Sequence, residues 1–144
     1  MTVQLNDADY SSGVAAFEAK NFSQAMQFLS PLAEAGNPDA QHRVAIMCQN
    51  GLGVVKNEER AFRMMLAAAE QGYDIAQHGV GFMYLQGECV EKDAASAAEW
   101  FRKAADQGLA GSLTTLAMMY EEGNGVEKDP QEAKRLYAMA GFDL

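Results

Sequence analysis

A spacing of 36 residues recurs through this 144-residue chain, and it limits the possible fold more than any other feature. Gly36, Gly72 and Gly108 stand in that register, as do Gly51, Gly87 and Gly123, then Val54, Val90 and Val126, then Asn57, Asp93 and Asp129. Ala25, Ala61, Ala97 and Ala133 carry it through four copies, and Ala69-Glu70-Gln71-Gly72 returns as Ala105-Asp106-Gln107-Gly108. Such self-similarity signals stacked copies of one supersecondary unit, because a single unit is too small to bury its own apolar face.

Each copy reads as two helices. In the third, the first helix spans about Ala76 to Gln86, with Ala76, Val80 and Tyr84 on one face. Gly87 ends it by offering the left-handed conformation that helix termini favour. Asp93 caps a second helix to about Gln107, which is expected to bury Ala97, Trp100, Phe101, Ala104 and Ala105. Asn57 and Asp129 are the corresponding caps, and Asn21 holds the same place ahead of Ala25. Pro130 follows Asp129 where its missing N–H costs nothing, and Asp129 with Glu132 has the spacing of a capping box. Gly13, Ala45, Gly81 and Ala117 in the first helices, with the alanine series in the second, let paired axes approach closely. The first copy lacks about four loop residues, with Lys20-Asn21-Phe22 making a tight turn instead. The predicted fold is all-α: one solenoid domain over residues 1–144, with helix-turn-helix repeats at about 7–36, 37–72, 73–108 and 109–144.

Charge narrows what this chain binds. Twenty acidic and 11 basic residues give a net −9, and successive blocks of 36 residues carry −3, 0, −3 and −3. Clustered cations of the kind that displace counterions from nucleic acid are missing, which also disfavours an anionic membrane surface. No apolar run approaches the roughly 18 residues of a membrane span. The opening residues hold neither a positive charge nor the apolar stretch of a secretory signal. Cys48 and Cys89 form no Cys-x-x-Cys pair and read as reduced thiols, one of them buried, so a cytoplasmic location is expected.

The third copy carries Gly81, Tyr84, Gly87, Val90, Asp93, Ala97, Trp100, Phe101, Lys103, Ala104, Ala105 and Gln107-Gly108. The second and fourth carry Gly51-Leu52-Gly53-Val54 and Gly123-Asn124-Gly125-Val126. This combination resembles the Sel-one-like repeat (SLR) family, relatives of the tetratricopeptide repeats, over roughly residues 7 to 141. The first copy is more similar to an ordinary tetratricopeptide unit. Cys48 departs from the family's helical Tyr, Met64 and Leu136 from its Trp, and Cys89 from its second loop Gly. A left-handed backbone at Cys89 would carry strain. Some secreted relatives pair cysteines within a repeat, but Cys48 and Cys89 lie in different repeats. The resemblance implies a right-handed α-α superhelix that scaffolds signalling, envelope or host-interaction assemblies.

In such a stack the first helices line a concave surface. Aligning the copies on their small residues gives one row of Val14, Ile46, Phe82 and Met118, and another of Tyr10, His42, His78 and Thr114. A third holds Phe17, Gln49, Leu85 and Glu121, beside Glu18, Asn50, Gln86 and Glu122. An apolar row flanked by hydrogen-bonding side chains suits an extended peptide or a partner helix. The carboxylate clamp of some tetratricopeptide domains is not expected, since Asn50 has no Lys or Arg beside it in the row and Glu121 and Glu122 repel an anion. A basic segment fits that end better.

Catalytic and metal readings find little support. His42 and His78 are equivalent positions of adjacent repeats, with no third ligand or His-Glu-x-x-His pattern. Gly51-Leu52-Gly53-Val54 is no phosphate loop, because no Gly-Lys-Ser/Thr follows. Most of the nine methionines fall at core-filling spacings, and Met118 is the one expected as a contact. The expected function is therefore a non-enzymatic adaptor without cofactor or metal, binding a protein or peptide on its first-helix face. The alternative is self-association through an uncapped carboxy-terminal end carrying Phe142 and Leu144.

Overall fold

The computed structural model describes residues 7–142, and every regular element among them is an α-helix. The chain divides into two compact units, Met1–Tyr73 and Asp74–Leu144. The first holds α1 (Asp7–Glu18), α2 (Phe22–Glu34), α3 (Pro38–Asn50) and α4 (Glu58–Glu70). The second holds α5 (Asp74–Gln86), α6 (Ala94–Asp106), α7 (Ala110–Glu122) and α8 (Pro130–Met139). Within each unit every helix packs against the next, so each unit is two helical hairpins in series.

The helix ends follow the repeat's chemistry. The side chains of Asn57, Asp93 and Asp129 accept from the backbone N–H of Arg60, Ser96 and Glu132, and Asn37 does the same for Ala40. Asn21 does not cap: its amide donates to Gln24 Oε1 instead, because the three-residue turn holds it at φ −89°, ψ 74°. The expected capping box is half made, since Glu132 turns away to Arg135 and Arg102. Lys20 takes the left-handed conformation in that same short turn, at φ 63°.

Small residues govern the interhelical approach. Ala25, Ala61, Ala97 and Ala133 are buried, as are Gly13, Ala45, Gly81 and Ala117. A methyl placed on Gly81 would lie 2.8–2.9 Å from three ring atoms of Phe101, which is fully buried. Phe101 thus occupies space that a larger residue at 81 would need. Trp100 is only partly buried, contrary to expectation: its neighbour Phe101 takes the inward position, and the Lys103 ammonium lies 5.4 Å from the indole. Cys48 is buried and Cys89 partly so, and no disulfide joins them. Cys89 sits at φ 64°, where the equivalent Gly53 and Gly125 have φ 67° and 75°, so the strain anticipated from the sequence is present.

Candidate functional site

Helical periodicity splits each first helix into a packed side and an outward side. On α3, Ala40, Gln41, Val44, Ala45, Met47 and Cys48 are buried, which leaves His42, Ile46 and Gln49 partly exposed and Asn50 exposed. On α1, Tyr10, Val14 and Phe17 flank the buried Gly13 and Ala16. On α5, His78, Phe82 and Leu85 are partly exposed and Gln86 fully so. On α7, Met118, Glu121 and Glu122 are exposed, Met118 by 51%. Every residue that the sequence placed on the lining lies outside the buried core.

The first unit's face is tied by a polar network that the repeat alignment did not reveal. Asp39 accepts hydrogen bonds from the Tyr10 hydroxyl, from Arg43 Nε at 2.9 Å and from the Tyr73 hydroxyl at 2.9 Å. The Arg43 guanidinium lies 4.9 Å from the centroid of the Phe17 ring. A cation therefore does stand on this face, beside His42, although its charge is committed to Asp39. Burial pushes the Asp39 carboxyl up, but the three donors outweigh it and hold its pKa below the ordinary value. Burial and the hydrogen bond to Asp39 push Tyr73 up to about 12. The signal available in sequence was the Asp39/Arg43 pair at i, i+4, which has no counterpart in the other copies. Asn50 spends its amide on its own helix, donating to the Ile46 carbonyl at 2.9 Å.

The second unit's face is aromatic and acidic. His78 Nδ1 lies 2.7 Å from Ser112 Oγ, joining α5 to α7. The same imidazole meets Phe82 and Phe101 edge-on, at centroid distances of 4.8 and 5.3 Å, and Phe82 meets Phe101 at 5.3 Å. Burial depresses the pKa of both His42 and His78, so each is a neutral ring at neutral pH. They lie in different units, and among the described residues no group of three His, Cys, Asp or Glu side chains is arranged to hold a metal. The Tyr137 hydroxyl of α8 donates to Glu121, and that bond, with burial and the carboxylate charge, pushes its pKa up to about 12. Met139 and Phe142 are exposed by 53% and 54%, while Leu144 lies outside the described residues.

Comparison with known proteins accords with this arrangement. The sequence profile of the Sel1 repeat matches residues 9–37, 38–73, 74–109 and 112–141. A Sel1 repeat protein from Oxalobacter formigenes superposes with a TM-score of 0.86 at 36% identity, over 91% of this chain and 54% of the other. The protein c5321, described as a protective antigen of uropathogenic Escherichia coli strains with an SLR fold, superposes with a TM-score of 0.88 at 31% identity, over 93% of this chain and 30% of the other. Helicobacter pylori cysteine rich protein B shares the fold at 20% identity, with a TM-score of 0.66 over 84% of this chain and 86% of the other. The chain thus spans about half, or less, of the first two relatives. No curated protein matches it by sequence. Four helix pairs with these neighbours make the fold an all-α helical solenoid.

Proposed function

The chain belongs to the Sel1 repeat family, whose members are generally protein-interaction scaffolds, and we propose that this one is a non-enzymatic adaptor that binds a peptide or partner helix on the outward side of its first helices. The observation that carries the reading is the exposure of Met118 on α7, with Phe82 and Leu85 half-buried on α5, in a unit whose other helical methionines, Met83 and Met119, are packed away except for Met139 on α8. An exposed thioether adapts its shape to a partner at little conformational cost. His78 and Gln86 of α5 and Glu122 of α7 also lie outside the core and supply hydrogen-bonding edges to a ligand backbone. The acidic balance favours a basic partner.

Replacing Met118 with Glu tests this without touching the core, because the side chain is half in solvent. The expected result is lost partner recovery with unchanged helicity, and Phe82→Glu should act in the same direction. Undiminished recovery by both variants would overturn the assignment of this face. A second reading, self-association through Met139 and Phe142, is favoured by their exposure. Light scattering that gives one monomer mass at all concentrations would reject it.

A further inference from the structure

The second unit separates its charges by helix. Neither α5 nor α7 carries a Lys or Arg, whereas α6 and α8 carry Arg102, Lys103, Lys134 and Arg135. Two of those cations are already engaged, since Arg102 and Arg135 both pair with Glu132. Lys103 lies against Trp100. On the first-helix side, Glu121 and Glu122 are exposed, and no ion pair reaches either among the described residues.

One further feature adds negative charge at the same end. α5 and α7 both finish there, because the loop after α7 folds back onto the start of α6, where a methyl on Gly125 would run into the Ala94 carbonyl. The loops at 87–93 and 123–129 hold five acids against Lys92 and Lys128, whose stems lie under Gly87 and Gly123. Tyr137 fixes the Glu121 carboxylate by hydrogen bonding. This carboxylate is therefore positioned before any ligand arrives.

Resting on the adaptor reading above, we infer that the α5/α7 face takes an extended segment with an apolar anchor over Met118 and Phe82 and a Lys or Arg two residues from that anchor. The spacing follows from geometry. Glu121 and Glu122 lie three and four residues beyond Met118, about 4.5–6 Å along the helix axis at ~1.5 Å per residue. An extended peptide rises about 3.3 Å per residue and returns to the same side every second residue, so its next like-facing side chain falls about 6.6 Å on. A cation there meets the carboxylates, and one residue nearer it points away.

The test uses the full chain and short fluorescein-labelled peptides read by anisotropy. One contains Lys-x-Phe-x-Lys, which serves either chain direction. The second moves both lysines next to Phe, and the third replaces them with Glu. The first should bind about tenfold more tightly than the Glu version, since one cation facing both carboxylates is exchanged for an anion facing them. It should also exceed the shifted version, and the preference should fall as salt is raised. The Glu121→Lys, Glu122→Lys double variant should prefer the Glu peptide. Binding that depends on Met118 but ignores charge and spacing would overturn this inference and leave the adaptor face standing. If no peptide binds and Met118→Glu leaves partner recovery unchanged, both fall.

Discussion

Gly81→Ala is expected to destabilise the protein, although Ala is the better helix former. The new methyl would sit 2.8–2.9 Å from Cε1, Cδ1 and Cζ of Phe101, inside the range real side chains avoid. The ring has little room to retreat, because it is fully buried and held edge-on by His78 and Phe82, both 5.3 Å away centroid to centroid. Overpacking of a closed core costs about 1–3 kcal/mol. Removing a glycine from a helix interior returns about 1 kcal/mol. The net expectation is a loss of about 1 kcal/mol, read from urea unfolding followed by circular dichroism, with the melting temperature lower by a few degrees. Gly111→Ala is the control. Its methyl would make ordinary contact with His78 Cε1 at 3.4 Å, so propensity should win and stability rise by about 0.5 kcal/mol. Phe101→Leu should relieve the clash, giving a coupling of at least about 0.5 kcal/mol in a double-mutant cycle. If Gly81→Ala stabilises as Gly111→Ala does, the packing argument is wrong.

Other perturbations read other parts of the structure. Asp39→Ala removes the acceptor shared by Tyr10, Arg43 and Tyr73, and should cost about 1–2 kcal/mol while speeding amide exchange in α1. Cys89→Gly removes the left-handed penalty at φ 64° and should stabilise by about 1 kcal/mol in urea titration. Burial lowers the pKa of His42 and His78 in the folded chain, so below the ordinary value of 6.5 the unfolded chain binds protons more readily. Stability should therefore be complete above pH 6.5 and decline as pH falls below it. Thermal melts across that interval should show a flatter profile for the His42→Gln, His78→Gln double variant.

Periodic features were legible because they follow from spacing alone. Gly87 and Gly123 are left-handed helix stops, Asn57, Asp93 and Asp129 are caps, and the alanine series is buried, as the 36-residue register implied. What departs from the register was harder to read. Asn21 looks like a cap in alignment, but a turn four residues shorter changes its backbone and redirects its side chain to Gln24. Trp100 is large and apolar, and its counterpart Met64 is buried beside Met65 on α4, yet on α6 the space left by Gly81 goes to Phe101 and Trp100 stays partly exposed. The Asp39 network was missed because it joins Tyr10, Asp39 and Tyr73, residues separated by 29 and 34 positions, at places the repeat does not share. The outward rows were recoverable from helical spacing, whereas the fixing of Glu121 by Tyr137 depends on how α8 lies against α7.

The chain's own methionines offer the most direct test of the binding face. With methyl-labelled methionine, Met118 and Met139 are exposed reporters on α7 and α8, and Met47, Met64, Met65, Met83 and Met119 are buried references. Two-dimensional methyl spectra would be recorded as the Lys-x-Phe-x-Lys peptide, or a captured partner, is added. A binding face on the first helices requires the Met118 resonance to shift in proportion to occupancy while Met139 and the buried set hold still. Movement of Met139 with Met118 unchanged would contradict it.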